Sequence, residues 1–465
     1  MNEKKRLIKN TGIIAIGNLA TKIVSFFLLP MYTSILSTSE YGTVDYVLTI
    51  AAFCTPFVSF LMEESMFRYL IDCKNKKEKA SVISTSMFIV LIGIILFALI
   101  SIPLMTIIQY KYGVYLILYV ITSVLVGMVS ALLRGLGRTD KYAIFNFCVS
   151  ITNILLNILF IAALRMGVNG MLLANIISSA LIVPVFVFSL KLWENFSLKY
   201  LDFKLAKEMI IYSIPLIPNR LSWSVINMSD RLIVMNYLGS SQSGILAVSH
   251  KFPNLMDTIY GFFYQSWRES SARVVGKDDE KDFYNYVYTK LKDFMYSIVL
   301  GMTAFIPMVF NFMIDKSYHE ALMYVPILFI AMYFSNMSGF YGGIFTAYKD
   351  TKIIGITTIF AAVINLFVHI LMLSWFGLYA AAFSTLIANM AVYLYRKIKI
   401  KKYITLAEDR KKQFISIFIT AVIFLLYYLK KPLFLICGCA LSILYALCTN
   451  KNNILFFIKK AKTKK

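Results

Sequence analysis

The stretch Pro218 to Gly244, PNRLSWSVINMSDRLIVMNYLGSSQSG, sets a polar stripe inside an apolar run. Asn219, Trp223, Asn227, Asp230 and Arg231 recur at steps of three and four residues, which places them on one face of a helix. A carboxylate and a guanidinium at mid-membrane depth are costly unless they turn toward protein or a water-filled cavity. This helix is expected to line something wet.

The residues around it demand a membrane. Hydrophobic residues make up 59% of the 465-residue chain and charged ones 15%, and apolar runs long enough to span a bilayer recur from end to end. Fourteen runs are legible: 11–36, 44–62, 82–110, 114–133, 142–164, 168–190, 209–238, 244–267, 294–314, 321–348, 353–376, 378–395, 414–429 and 433–447. The last two are short and come as a hairpin, so losing both leaves twelve spans with the same end-to-end topology. The Lys-rich start resembles a signal peptide, but the run 11–36 is too long for an h-region and has no clear small-x-small cleavage site, so it is read as the first span.

Charge placement predicts orientation. With the N-terminus in the cytoplasm, only Lys111, Arg165, Lys316, Lys430 and Lys431 fall in outer loops and Lys22, Arg220, Arg231 and Lys251 within spans, out of 47 Lys and Arg. The rest lie inside, with the C-terminus there too. Topology and attraction to anionic membrane lipids account for the net charge of +23 without nucleic acid.

Cys54, Cys73, Cys148, Cys437, Cys439 and Cys448 are scattered without CxxC or Cys/His spacing, and no glycine-rich nucleotide loop appears. No cofactor or metal is expected. Outer loops are short and the longest inner ones reach about 20 to 25 residues, too few for a soluble catalytic domain. An enzyme is not expected.

The chain looks duplicated. Leu36-Ser-Thr-Ser-Glu-Tyr-Gly42 closes the first span and Leu238-Gly-Ser-Ser-Gln-Ser-Gly244 the seventh; Asn153-Ile-Leu-Leu-Asn-Ile-Leu159 in the fifth matches Asn365-Leu-Phe-Val-His-Ile-Leu371 in the eleventh. Both pairs keep their orientation across an even number of spans, the mark of parallel repeats. The expected architecture is an all-α polytopic membrane protein of about 14 (12 to 14) transmembrane helices. It comprises an N-terminal lobe at 1–200, a C-terminal lobe at 201–400 and a hairpin with a basic tail at 401–465, with the two six-helix lobes around a central cavity.

Polar residues within spans are the candidate site. Thr11, Asn18, Lys22 and Ser25 share a face of the first span, and Asn146, Ser150, Asn153 and Asn157 a face of the fifth. The eighth span carries His250, Asn254, Asp257, Tyr264 and Arg268 in register with Lys251 beside them; the eleventh offers Asn365 and His369. Lys22, Asp230 and Lys251 lie very roughly 10 to 20 Å below the outer surface. Asparagines also serve as interhelical glue, and Asp230 with Arg231 is either a structural ion pair with neighbours or a coupling site. Glu63 and Glu64, followed by Arg68 at the inner end of the second span, read as an anchor, a gate or a coupling site. Trp223, Tyr260 and Tyr264 are candidates for stacking on sugar rings.

Three places carry a family resemblance: Asn10-Thr-Gly-Ile-Ile-Ala-Ile-Gly-Asn-Leu-Ala-Thr-Lys22 running on to Gly42; Pro215-Leu-Ile-Pro-Asn219 followed by Asp230-Arg231 and the exit to Gly244; and Arg134-Gly-Leu-Gly-Arg-Thr-Asp140. Over about 400 residues the chain resembles the Wzx-type lipid-linked oligosaccharide flippases of polysaccharide biosynthesis. These belong to the superfamily that also holds multidrug and toxin extruders and the lipid II flippase. The resemblance implies an alternating-access transporter of the bacterial cytoplasmic membrane. Its cargo would be an undecaprenyl-pyrophosphate-linked glycan unit for O-antigen, capsule or exopolysaccharide.

Cations in the first and eighth helices of such flippases are thought to meet the pyrophosphate, which assigns that role here to Lys22 and Lys251. The lipid II flippase tends to use Arg there, so charge pairing rather than a bidentate fork is expected. Arg231 adds charge, and Asn18, Asn153, Asn157, Asn227, Asn254, Trp223 and Tyr264 are the expected sugar contacts. Arg68, Arg134 and Arg138 would gather the headgroup at the inner surface. Asp230, Asp257, Glu63 and Glu64 are the coupling or ion-pair candidates, and a polysaccharide polymerase and a chain-length regulator the candidate protein partners. The alternative within the superfamily is a multidrug or cation antiporter, whose pocket should favour acids where Lys22 and Lys251 make this one positive. A third class is a non-transporting assembly partner or scramblase.

Overall fold

The computed structural model describes residues 26–462, and among them every regular element is helical. The chain divides into two compact units, 1–244 and 245–465. The first holds α1 (Leu29–Ile35), α2 (Thr38–Ser59), α3 (Met62–Asp72), α4 (Lys76–Ile107), α5 (Gly113–Gly135), α6 (Thr139–Asn157), α7 (Gly167–Ser189), α8 (Phe203–Ser213) and α9 (Leu216–Tyr237). The helix α10 (Ser240–Val274) begins there and continues into the second unit. That unit adds α11 (Glu280–Met313), α12 (Val325–Ala347), α13 (Thr351–Phe376), α14 (Tyr379–Lys399), α15 (Arg410–Tyr428) and α16 (Pro432–Lys462).

Ten described helices are long and apolar enough to cross a bilayer: α2, α4, α5, α6 with its π-helical extension to Ala163, α7, α11, α12, α13, α15 and α16 as far as Asn450. The protein is thus a multi-pass membrane protein, and the expected fourteen spans are not all met. Most of the run 11–36 lies outside the described residues. The other three shortfalls are α9, α10 and α14, which form as helices but carry too many polar residues. The C-terminal hairpin, the shortest pair in the sequence, qualifies as α15 and α16.

Each unit is built around one central helix. α5 packs against α2, α3, α4, α6 and α7 and buries Val120, Val124, Met128 and Leu132; α12 packs against α11, α13 and α14 and buries Leu328, Phe340, Tyr341 and Phe345. These two are the most buried of the apolar helices in their units. Outward faces such as Leu99, Ile100 and Ile107 of α4, or Phe360, Phe367 and Trp375 of α13, stay exposed, as lipid contact requires. The asparagine repeat recurs structurally. Asn153 Nδ2 donates to Asn175 Oδ1 (3.2 Å) and ties α6 to α7, while Asn365 Nδ2 donates to Ser384 Oγ (3.2 Å) and ties α13 to α14.

Between α2 and α3 the helix breaks at Phe60 and Leu61, both left-handed with φ of 49° and 51°. Side chains rarely adopt that conformation, so packing must hold it. Ser59 Oγ accepts the Leu61 N–H at 3.1 Å, and α4 presses on the break through Gly93, where a Cβ would stand 2.1 Å from the Val58 carbonyl oxygen.

Candidate functional site

The sequence motif at Ser37 explains itself locally. Ser37 Oγ accepts from the Glu40 N–H and Glu40 Oε2 accepts from the Ser37 N–H at 2.9 Å, a capping box that starts α2. In the second copy Gly239, at φ of 88°, ends α9 before α10 begins. The two copies pack on each other. Thr38 Oγ1 meets Ser241 Oγ at 2.7 Å and Ser39 Oγ meets Ser240 Oγ at 2.6 Å. Gly42 and Gly244 let the backbones touch: a Cβ on Gly42 would lie 2.1 Å from the Ser240 carbonyl oxygen, and one on Gly244 1.9 Å from that of Thr38.

This crossing brings α2 beside the C-terminal part of the α9 stripe. Arg231 is buried, and its Nε donates to Asp45 Oδ2 at 3.0 Å across the two helices. Asp45 was not among the sequence candidates. Its signal was available, since it is a carboxylate inside the second apolar run. Asp230 is also buried. Lys22 and Asn18, with Thr11 and Ser25, lie outside the described residues, as do the side chains of Asn219, Trp223 and Asn227.

The α10 stripe is mixed. Asn254, Asp257 and Arg268 are exposed, Lys251 and Tyr264 partly buried, and His250 buried. Tyr260 is not an open platform: it is buried, stacked on Tyr264 with centroids 5.8 Å apart, and seated where a Cβ on Gly339 would lie 2.8 Å from its hydroxyl oxygen. Trp267 continues that stripe, stacking on Phe340 at 4.4 Å and donating its indole N–H to the Phe340 carbonyl at 3.0 Å.

The remaining candidates divide between packing and surface. Asn157 is buried and donates to the Asn153 carbonyl at 2.7 Å within α6, while Asn153 carries the bonds to α7. Asn146 likewise bonds the Tyr142 carbonyl (2.9 Å), while Asn365 and His369 are fully buried. Glu63 is partly buried with Oε2 shut off and unbonded among the described residues, and burial raises its carboxyl above the ordinary range; Glu64 is exposed. Arg68 is exposed and paired with Asp72 at 2.6 Å. Arg134 lies over the rings of Phe67 (4.6 Å) and Tyr142 (5.5 Å), and Arg138 is exposed, reaching the Leu190 carbonyl at 3.4 Å.

Sequence reasoning also missed Arg396, which it counted as a loop charge. It is buried at the end of α14, donating from Nε and Nη2 to Thr357 Oγ1 (2.9 and 2.7 Å) and from Nη1 to the Ser338 carbonyl (3.1 Å). No group of three or more His, Cys, Asp or Glu among the described residues is arranged to hold a metal ion.

Comparison with solved structures identifies the fold. An inward-facing multidrug resistance MATE transporter of the MOP superfamily superposes with a TM-score of 0.69 at 15% identity, covering 83% of this chain and 98% of its own. The lipid II flippase MurJ in an inward closed conformation superposes with a TM-score of 0.64 at 17% identity, covering 95% and 99%. At these identities the likeness is one of fold. No curated protein matches the chain in sequence. A family model described as polysaccharide biosynthesis protein matches residues 7–267, which takes in both copies of the crossing motif, the Asp45–Arg231 pair and most of α10. With more than half its length so matched, the chain belongs to the polysaccharide biosynthesis protein family.

Proposed function

We propose that the protein is a flippase that carries an undecaprenyl-pyrophosphate-linked oligosaccharide from the cytoplasmic to the outer leaflet by alternating access, for cell-surface polysaccharide synthesis. The observation that carries this reading is the family match across 7–267. In this reading both termini lie in the cytoplasm, which the Lys and Arg distribution supports, and the membrane is the bacterial cytoplasmic membrane that the family resemblance implies.

Moving a sugar headgroup and two phosphates through about 30 Å of hydrocarbon demands a polar route with positive charge. Arg231 is already balanced by Asp45. By the family resemblance the phosphates fall to Lys22 and Lys251, with Asn254 and Tyr264 of α10 as sugar contacts. Arg68 and Arg138, both exposed, would gather the anionic headgroup in this reading. Glu63 is the stronger coupling candidate of the acidic pair, because its protonation responds to burial. Membrane potential acting on an anionic cargo serves as the drive without it.

The test is complementation of a strain that lacks its own flippase but makes the lipid-linked glycan. The wild-type chain should restore surface polysaccharide, and Lys22→Ala or Lys251→Ala should abolish it at unchanged membrane abundance. Lys→Arg at either place should retain part of it. Full restoration by the double alanine variant overturns the phosphate assignment; drug efflux without restoration favours an antiporter.

A further inference from the structure

The second unit contains a cavity of about 210 Å³ among α11, α12, α14 and α15, lined inside by Tyr288, Lys292, Tyr296, Tyr333, Tyr393 and Lys397. Its rim is Met390, Leu394 and Ile417, all exposed and all apolar. The buried and half-buried lining, which also includes Phe334 and Gln413, thus carries the lysines and tyrosines, while the exposed lining is apolar.

The charges do not balance. Lys397 pairs with Glu408 at 2.5 Å, and Lys412 pairs with Asp293. Lys292 is buried, its ammonium 5.3 Å from the centroid of the Tyr288 ring, and no carboxylate among the described residues pairs with it. Of the two lysines that line the cavity, Lys397 is thus ion-paired and Lys292 is not. Asp293 and Glu408 act on this ammonium only beyond ion-pair distance, each already paired with another lysine, so an anion entering the cavity would complete its compensation. The Tyr288 hydroxyl donates to Glu408 Oε1 at 3.5 Å and accepts from Tyr341 at 3.3 Å, which ties the paired acid to the cavity wall.

Position narrows the anion. Lys397 ends α14 and Lys412 begins α15, at the end of these helices that the basic segment 396–412 assigns to the cytoplasmic headgroup level. Basic pockets between helices at that level suit anionic lipid headgroups. A free anion would need no apolar rim, whereas an acyl chain leaving the cavity would lie along Leu394 and Ile417 toward the exposed Phe414 and Phe418. We propose that this cavity binds the phosphate diester of an anionic phospholipid of the cytoplasmic leaflet, with Lys292 as its counter-charge and Met390, Leu394 and Ile417 under its chain.

The full chain in detergent, titrated with phosphatidylglycerol and followed by native mass spectrometry, tests this. Wild type should retain the lipid and discriminate against phosphatidylcholine; Lys292→Met should bind at least tenfold more weakly, while Lys292→Arg and the exposed-site control Lys281→Met bind as wild type. Equal affinity in Lys292→Met overturns the proposal. So does displacement by millimolar inorganic phosphate, which marks a free-anion site, or preferential binding of a polyprenyl phosphate, which marks a cargo site. A phosphatidylglycerol with a photoreactive chain gives a reading on the unaltered protein. Adducts at Met390, Leu394 or Ile417 are expected, and their absence refutes the site whatever the variants do.

Discussion

Replacing Gly244 by alanine puts a methyl group where there is no room. Its Cβ would sit 1.9 Å from the Thr38 carbonyl oxygen, whereas real Cβ contacts essentially never fall below 3.0 Å. The α2 and α10 backbones must therefore part by at least about 1.1 Å. The Thr38–Ser241 pair, now at 2.7 Å, would open to about 3.8 Å, past hydrogen-bonding reach. Overpacking costs about 1 to 3 kcal/mol, and the two hydroxyl pairs add about 1 kcal/mol each. The sum is about 3 to 5 kcal/mol, or a fall in melting temperature of roughly 6 to 20 °C at the usual sensitivity of a unit of this size. Thermal unfolding of the detergent-purified protein measures it, with Gly301→Ala as reference because nothing lies within 4 Å of its Cβ position. Gly42→Ala should match Gly244→Ala, since the contact is reciprocal. A Gly244→Ala protein that melts with Gly301→Ala would refute the crossing.

Two further outcomes are expected. Asp45→Asn strands the Arg231 guanidinium and should cost about 3 to 5 kcal/mol, while Asp45→Asn combined with Arg231→Gln should cost clearly less than the two single changes summed; additive losses in the thermal assay would show that the pair is not coupled. A cysteine at the exposed Ser241 should react with an impermeant reagent in intact cells and one at Lys277 only after the membrane is opened, and the opposite pattern would invert the topology.

The stripe that made α9 and α10 legible as functional also kept them below the apolarity of a spanning helix. Polar residues on one face announce a site and erase the membrane signal together. The partner of Arg231 was a different problem. The sequence suggested an ion pair with neighbours without naming one, and the observed partner is 186 positions away in α2. Asp45 was visible as an acid in an apolar run, yet only the glycine crossing sets it opposite Arg231. The asparagine repeat was legible as a pattern, and its bonds to α7 and α14 emerged only with the packing. Lys292 and Arg396 were counted among the loop charges. Continuous helices α11 and α14 carry both into the interior, and a boundary a few residues off hides such a change.

The motif crossing is its own mirror under exchange of the two copies: Thr38 with Ser241 becomes Ser240 with Ser39, and Gly42 on Ser240 becomes Gly244 on Thr38. Self-complementarity of this kind is what a two-fold homodimer interface displays. A single copy holds both halves of the contact, so a chain of half this length needs no second sequence to form it, only a second molecule of itself. The chain carries within one polypeptide a contact with the reciprocal pattern of a two-fold dimer seam.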